Sequence, residues 1–153
     1  MAGGLLLDTN VLILLVAGRT DRSIITKHKK LSAFSIADFD TLSRTIRPYD
    51  SLVTTPHVLA EASNLLAQHA DPEKSRLLET LRDMIKNDTS EDQVLSASAA
   101  DRPEFTRLGL TDCGLIEAAA PGTTVLTADL ALYLVLCSKR SDAAINFTHL
   151  IYR

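Results

Sequence analysis

Tryptophan is absent from this 153-residue chain, and its aromatic rings are limited to four Phe and three Tyr. The core must therefore come from Leu, Ile, Val and Ala, and the shortage of rings argues against a platform that holds nucleic acid by strong base stacking. Cysteine is nearly as scarce. Cys113 and Cys137 are too few for a disulfide framework or for the roughly four ligands of a structural zinc site, so a reducing, cytoplasmic setting is expected. No Gly-rich phosphate loop occurs, which leaves NTP binding unsupported. The longest apolar run, residues 5–17, is interrupted by Asp8 and Asn10. It follows no basic segment and is too short to cross a bilayer, so neither a targeting signal nor a membrane role is expected. No repeat, low-complexity tract or linker breaks the chain.

What is present suits a soluble globular protein, with 46% apolar and 23% charged residues. A chain of this length reads as one domain, 1–153, able to bury roughly two-thirds of its unfolded surface. The net charge of −3 is uneven: Arg19, Arg22, Lys27, Lys29 and Lys30 against Asp21 give +4 in residues 19–30, leaving −7 on the rest. Such a patch can contact a polyanion locally. A solvated helix or loop with a chance excess of lysine is the competing reading.

Local signals order the elements. "LLLD" reads as a strand, followed by a helix over 10–17 that ends near Gly18 as C-cap. Ser35 can cap a helix "IADFDTLSRTI", with Ile36, Phe39, Leu42 and Ile46 on one face. "SLVTTP" is a strand, and Thr55 with Pro56 opens the helix "HVLAEASNLLAQHA". Asp71-Pro72 repeats that cap chemistry before a helix that buries Leu77, Leu81, Met84 and Ile85. "DQVL" is a candidate edge strand and "SASAADRPEFTRL" a helix. "LGLTDCGLIEAAAPG" reads as a helix capped by Thr111 and closed near Gly122. "TTVLTAD" is a strand, "LALYLVLCSKR" a helix and "AINF" the last strand. Strands alternating with helices predict an α/β fold, a central parallel sheet flanked by helices on both faces.

Four acids stand out in that frame. Asp8 ends the first strand, at the carboxyl edge where open α/β sheets gather ligands. Asp129 follows "TTVLT" in the same way, with Thr127 two residues before it. Asp112 sits in the first turn of its helix, and Glu61 falls between Val58 and Leu65 on the expected apolar face. Each has an ordinary reading as turn residue, helix cap or helix-dipole partner. Four acids meeting at one edge would repel one another, so a cation is required, and an all-oxygen set suits Mg2+ or Mn2+ over zinc.

The blocks "LLLDTNVLI", "TTPHVLAEASNLL", "LGLTDCGLIEAA" and "TVLTADLALY" resemble, in order and spacing, those of PIN-domain (VapC-like) metal-dependent ribonucleases. The resemblance spans nearly the whole chain and implies a single PIN-like domain. It implies catalytic and metal-binding roles for Asp8, Glu61, Asp112 and Asp129, with Asn10 and Thr127 supporting them. The implied activity is hydrolysis of RNA phosphodiester bonds with Mg2+ or Mn2+. The implied partners are RNA, an antitoxin or other regulatory protein, and a second copy in a homodimer. Residues 19–50 depart from the compact toxins, whose connection is usually shorter, and form a longer basic helical insert. The role the resemblance implies is that of a toxin in a toxin–antitoxin pair or, given this insert, of a related defence or RNA-processing nuclease. The contact residues for RNA would be Arg19, Arg22, Lys27, Lys29 and Lys30.

Other classes fit less well. A haloacid-dehalogenase-type phosphatase needs a second Asp two residues after the first, where Asn10 stands, and a receiver domain needs an acid pair that "LLLDTN" lacks. A PIN fold kept as a non-catalytic RNA- or protein-binding module is the main alternative. The four His have no metal-ligand spacing, and His57 reads as a surface residue at a helix start. Glu117 points away from Asp112, and Cys113 packs.

Overall fold

The computed structural model describes residues 2–151. Five strands, β1 (Ala2–Leu7), β2 (Tyr49–Thr54), β3 (Thr89–Glu91), β4 (Thr123–Thr127) and β5 (Ala144–Asn146), form one sheet in the order β3-β2-β1-β4-β5. Every pairing is parallel. The helices are α1 (Thr9–Thr20), α2 (Ile36–Ile46), α3 (Pro56–Leu66), α4 (Glu73–Asp83), α5 (Ser96–Ala100), α6 (Phe105–Ala118), α7 (Leu130–Lys139) and α8 (Phe147–Ile151). The rule that parallel crossovers are right-handed puts the helices leading out to β3 on one face and those leading back through β4 to β5 on the other. The chain reverses its course across the sheet between β1 and β4, so their carboxyl ends form a switch point.

The predicted class is thus the observed one. Leu5, Leu6 and Leu7 are each 0% exposed, and consecutive residues of a strand are all buried only when both faces are covered. Helix α1 is apolar all round, and residues 11–17 are buried throughout because it packs among α2, α3, α4 and the sheet. Among the described residues, no helix is long and apolar enough to cross a membrane.

Cap chemistry was legible at α2 and α3. Ser35 and Asp38 form a reciprocal capping box, and the Thr55 hydroxyl accepts the Val58 N–H with Pro56 following. Other boundaries moved. Gly18 lies inside α1, and Asp21 is its C-cap; the glycine is there because a Cβ would stand 2.0 Å from the Phe39 ring of α2. Helix α3 stops at Leu66. Pro72 takes the N-cap position of α4, while the Asp71 carboxylate accepts from the Ser75 N–H. Ile85 is 39% exposed, because a π-helical turn over Met84–Asp88 rotates it off the face of Leu77 and Leu81. The third strand is Thr89–Glu91 and not "DQVL", because 89–91 hold register with Leu52, Val53 and Thr54. Helical structure between 96 and 108 is split, with α5 ending at Ala100 and α6 starting at Phe105.

The insert after α1 is anchored rather than appended. It begins with 3-10 turns over Arg22–Thr26 and Lys29–Leu31, and buries Ile24, Ile25, His28, Leu31 and Leu42. Gly18→Ala should therefore cost about 1–3 kcal/mol, the range for overpacking, by forcing α2 off α1. Urea melts would show it, and Phe39→Leu in the same chain should recover part of the loss. A wild-type midpoint for Gly18→Ala alone would show that the helices yield freely.

Candidate metal centre

At the switch point, the Leu126 carbonyl accepts the Asp8 N–H at 3.0 Å, which holds the end of β1 to β4. The Asp8 side chain is 7% exposed and has both oxygens engaged. Oδ1 accepts the Thr9 N–H at 2.7 Å, and Oδ2 accepts the Thr127 hydroxyl at 2.6 Å. Thr127, fully buried at the end of β4, also accepts the Asp129 N–H at 2.9 Å. One hydroxyl thereby ties together the two strand-end acids. Asp129 serves as N-cap of α7, its Oδ1 accepting the Leu132 N–H at 3.2 Å. It is cap and pocket wall at once.

The second pair comes from helices. Helix α6 is interrupted at Gly109, whose φ of 86° and ψ of −179° are open only to glycine. The helix resumes beyond it, and that break turns Asp112 toward the sheet edge. Thr111 does not cap this helix as the sequence suggested; its hydroxyl donates to Glu61 Oε2 at 3.0 Å. Glu61 is exposed, a correction to its expected burial. The buried line of α3 is Val58, Ala62 and Leu66, which leaves Glu61 beside that stripe, at the rim of the pocket.

Asp8, Glu61, Asp112 and Asp129 line one pocket of about 410 Å3 together with Thr9, Asn10 and residues 108–111. No Lys or Arg lines it. Burial, then repulsion from Asp8, Asp129 and Glu61, pushes the Asp112 carboxyl up to about 7. Asp8 is raised too, chiefly by burial, against the hydrogen bonds from Thr127 and Thr9 that favour its charged form. The Thr9 hydroxyl is buried without a partner, the kind of orphan that an ordered water or ion commonly satisfies. An all-oxygen, uncompensated set of this kind fits a hard divalent cation. Among the described residues, however, no three His, Cys, Asp or Glu side chains form a group that could hold a metal ion as they stand.

The sequence-predicted residues thus divide. The four acids, Asn10 and Thr127 come to one place, although only Thr127 among the supporting pair bonds an acid; Asn10 is exposed at the pocket wall. The basic residues do not come there. Arg19 lies at the far end of α1, roughly 16 Å from Asp8 at 1.5 Å per residue. It pairs with Asp88 at 3.3 Å, and Arg22 with Asp40 at 2.8 Å. Lys27, Lys29 and Lys30 are exposed and, among the described residues, in no ion pair. Lys27 and Lys29 line a separate pocket of about 440 Å3 with His28, Gln68 and His69. Glu117 pairs with Arg102 at 2.6 Å, and Cys113 is buried, which pushes its thiol up. Sequence reasoning missed the Thr111 contact and the Gly109 break. Only the glycine itself, set inside a helical pattern, hinted at either. No family model matches the chain, and no curated protein or solved structure is significantly similar to it.

The metal-free protein should report the crowding. Asp112 has a folded value near 7 against an ordinary 3.8, so it is neutral in both states only below about pH 3, where it costs nothing. As pH rises from there, the unfolded state ionises first and stability falls, reaching a plateau once the pH has passed 7 and the folded group is charged too. Asp112→Asn removes that charge at constant shape. It should match wild type near pH 3 and exceed it at pH 8 by on the order of 1–2 kcal/mol, a figure reduced for a half-exposed group. Asp8→Asn is a poorer probe, because an amide cannot accept from both Thr9 and Thr127. Urea melts in EDTA at the two pH values decide, and parallel behaviour would mean that Asp112 is not crowded.

Proposed function

We propose that this protein is a divalent-metal-dependent endoribonuclease of the PIN-domain type, which hydrolyses RNA phosphodiester bonds with Mg2+ or Mn2+. The observation that carries the reading is the meeting of four carboxylates, with no cationic side chain, in one pocket at the β1/β4 switch point. Asp8 and Asp112 would be the principal ligands, with Asp129 contributing directly or through water. A divalent cation held there would lower the pKa of an attacking water and neutralise the leaving oxygen. Glu61, at the exposed rim and held by Thr111, would ligate that cation or orient the attacking water as a base. Thr127 keeps the Asp8 carboxylate in one rotamer, the usual task of a group behind a ligand. Single-stranded or looped RNA suits an open pocket, since its phosphates are reachable.

The test is incubation of labelled RNA with the protein and Mn2+, with and without EDTA. Cleavage should need the metal, and Glu61→Gln should reduce it by about two orders of magnitude or more without changing the far-UV CD spectrum. Metal-independent RNA binding with no cleavage would favour the non-catalytic module instead.

The basic insert carries a separate expectation. Lys27, Lys29 and Lys30 replaced by Ala should flatten the log–log salt dependence of RNA binding by about 0.7 per lost phosphate contact. Replacing Arg19 and Arg22, already tied to Asp88 and Asp40, should change it less. An unchanged slope in the lysine variant assigns those side chains to solvent.

A further inference from the structure

Beside the pocket, the crossing of α3 and α6 holds one ring that the chemistry above does not use. His57 stands one helical turn before Glu61 on α3. Its Nε2 lies 2.9 Å from Ser96 Oγ, and its Nδ1 is buried without a hydrogen-bond partner. Facing Nδ1 is Gly114, two residues after Asp112 on α6, where a Cβ would stand 3.1 Å from that nitrogen. Nδ1 is unpartnered in either tautomer, so the contact between Nε2 and Ser96 Oγ is the one hydrogen bond that steadies the ring. A Ser–His nucleophile pair would instead need a group to hold Nδ1–H, and none is there.

The two helices that carry Glu61 and Asp112 therefore touch at two points on either side of that pair. One is the hydroxyl of Thr111 on Glu61; the other is the His57 ring against Gly114. We propose that His57 is a positioning residue: wedged against Gly114 and steadied by Ser96, it sets the spacing between Glu61 and Asp112 and so how well they share one divalent cation. The inference rests on the proposed function, since it assigns a role only if that pair holds a cation. Gly114 belongs to the same contact, because a Cβ there would stand 3.1 Å from Nδ1 and the ring would have to give by a few tenths of an ångström.

The test is Mn2+ binding to the intact protein, followed by electron paramagnetic resonance, with CD melts of each variant to verify folding. His57→Ala and Gly114→Ala should each weaken Mn2+ binding roughly tenfold, the lower end of what supporting contacts behind a metal site contribute. The double variant should be no weaker than His57→Ala alone, because removing the ring makes room for the methyl. Melts of the same variants separate this from a loss of stability, which would lower midpoint and affinity together. Ser96→Ala, at an exposed position, should keep the fold and weaken binding by a smaller factor, which covers the case in which His57→Ala does not fold. Equal affinity in all variants, or fully additive losses in the double variant, overturns the inference alone. A wild type that binds no Mn2+ overturns the functional reading and this inference together.

Discussion

The hydrogen bond from the Thr127 hydroxyl to the Asp8 carboxylate is the contact on which the rest of the site depends. Asp8 is almost completely buried at the end of β1, and a carboxylate there persists only if its oxygens are satisfied. Thr127 supplies one partner at 2.6 Å and the Thr9 N–H the other at 2.7 Å. Because Thr127 also receives the Asp129 N–H, the acids of β1 and β4 are fixed relative to each other by a single rigid, β-branched residue. Apolar packing around Leu5, Leu6 and Leu7 holds both strands still.

The helical half of the pocket is built differently. Asp112 reaches it through a helix broken at Gly109, and Glu61 through the exposed edge of α3. No hydrogen bond compensates Asp112, so burial and three neighbouring acids act on it unopposed and lift its carboxyl to about 7. The site thus has a fixed wall and a repelling wall. The second persists in the folded protein because Asp112 is only half-buried and Glu61 is exposed, so water screens much of the repulsion.

Charge is organised the same way across the molecule. The acids meet at the carboxyl edge of the sheet, while the basic insert lies at the far end of α1. Within that insert Arg19 and Arg22 pair with Asp88 and Asp40, while among the described residues Lys27, Lys29 and Lys30 are in no ion pair. A planar guanidinium makes a directed pair, whereas an ammonium on a flexible stem remains a solvated point charge. Those lysines therefore stand well removed from the acidic pocket.

Much of this was legible in the amino-acid sequence, and what was legible is local. Strand-end acids, the Ser35 box, the Thr55-Pro56 helix start and the alternation of strands with helices are short-range patterns. They are set by backbone hydrogen bonding and by the periodicity of apolar residues. They were enough for the fold class and for naming the four acids. What the tertiary structure decided involves pairs distant in the chain: Phe39 requiring glycine at position 18, Thr111 holding Glu61, Asp88 and Asp40 claiming the arginines, and His57 facing Gly114. The exposure of Glu61 belongs there too, because helical spacing says only which residues share a face. Which of two neighbouring faces is buried depends on where α6 crosses α3. No local propensity encodes such contacts; they exist only once the sheet has set where each helix lies.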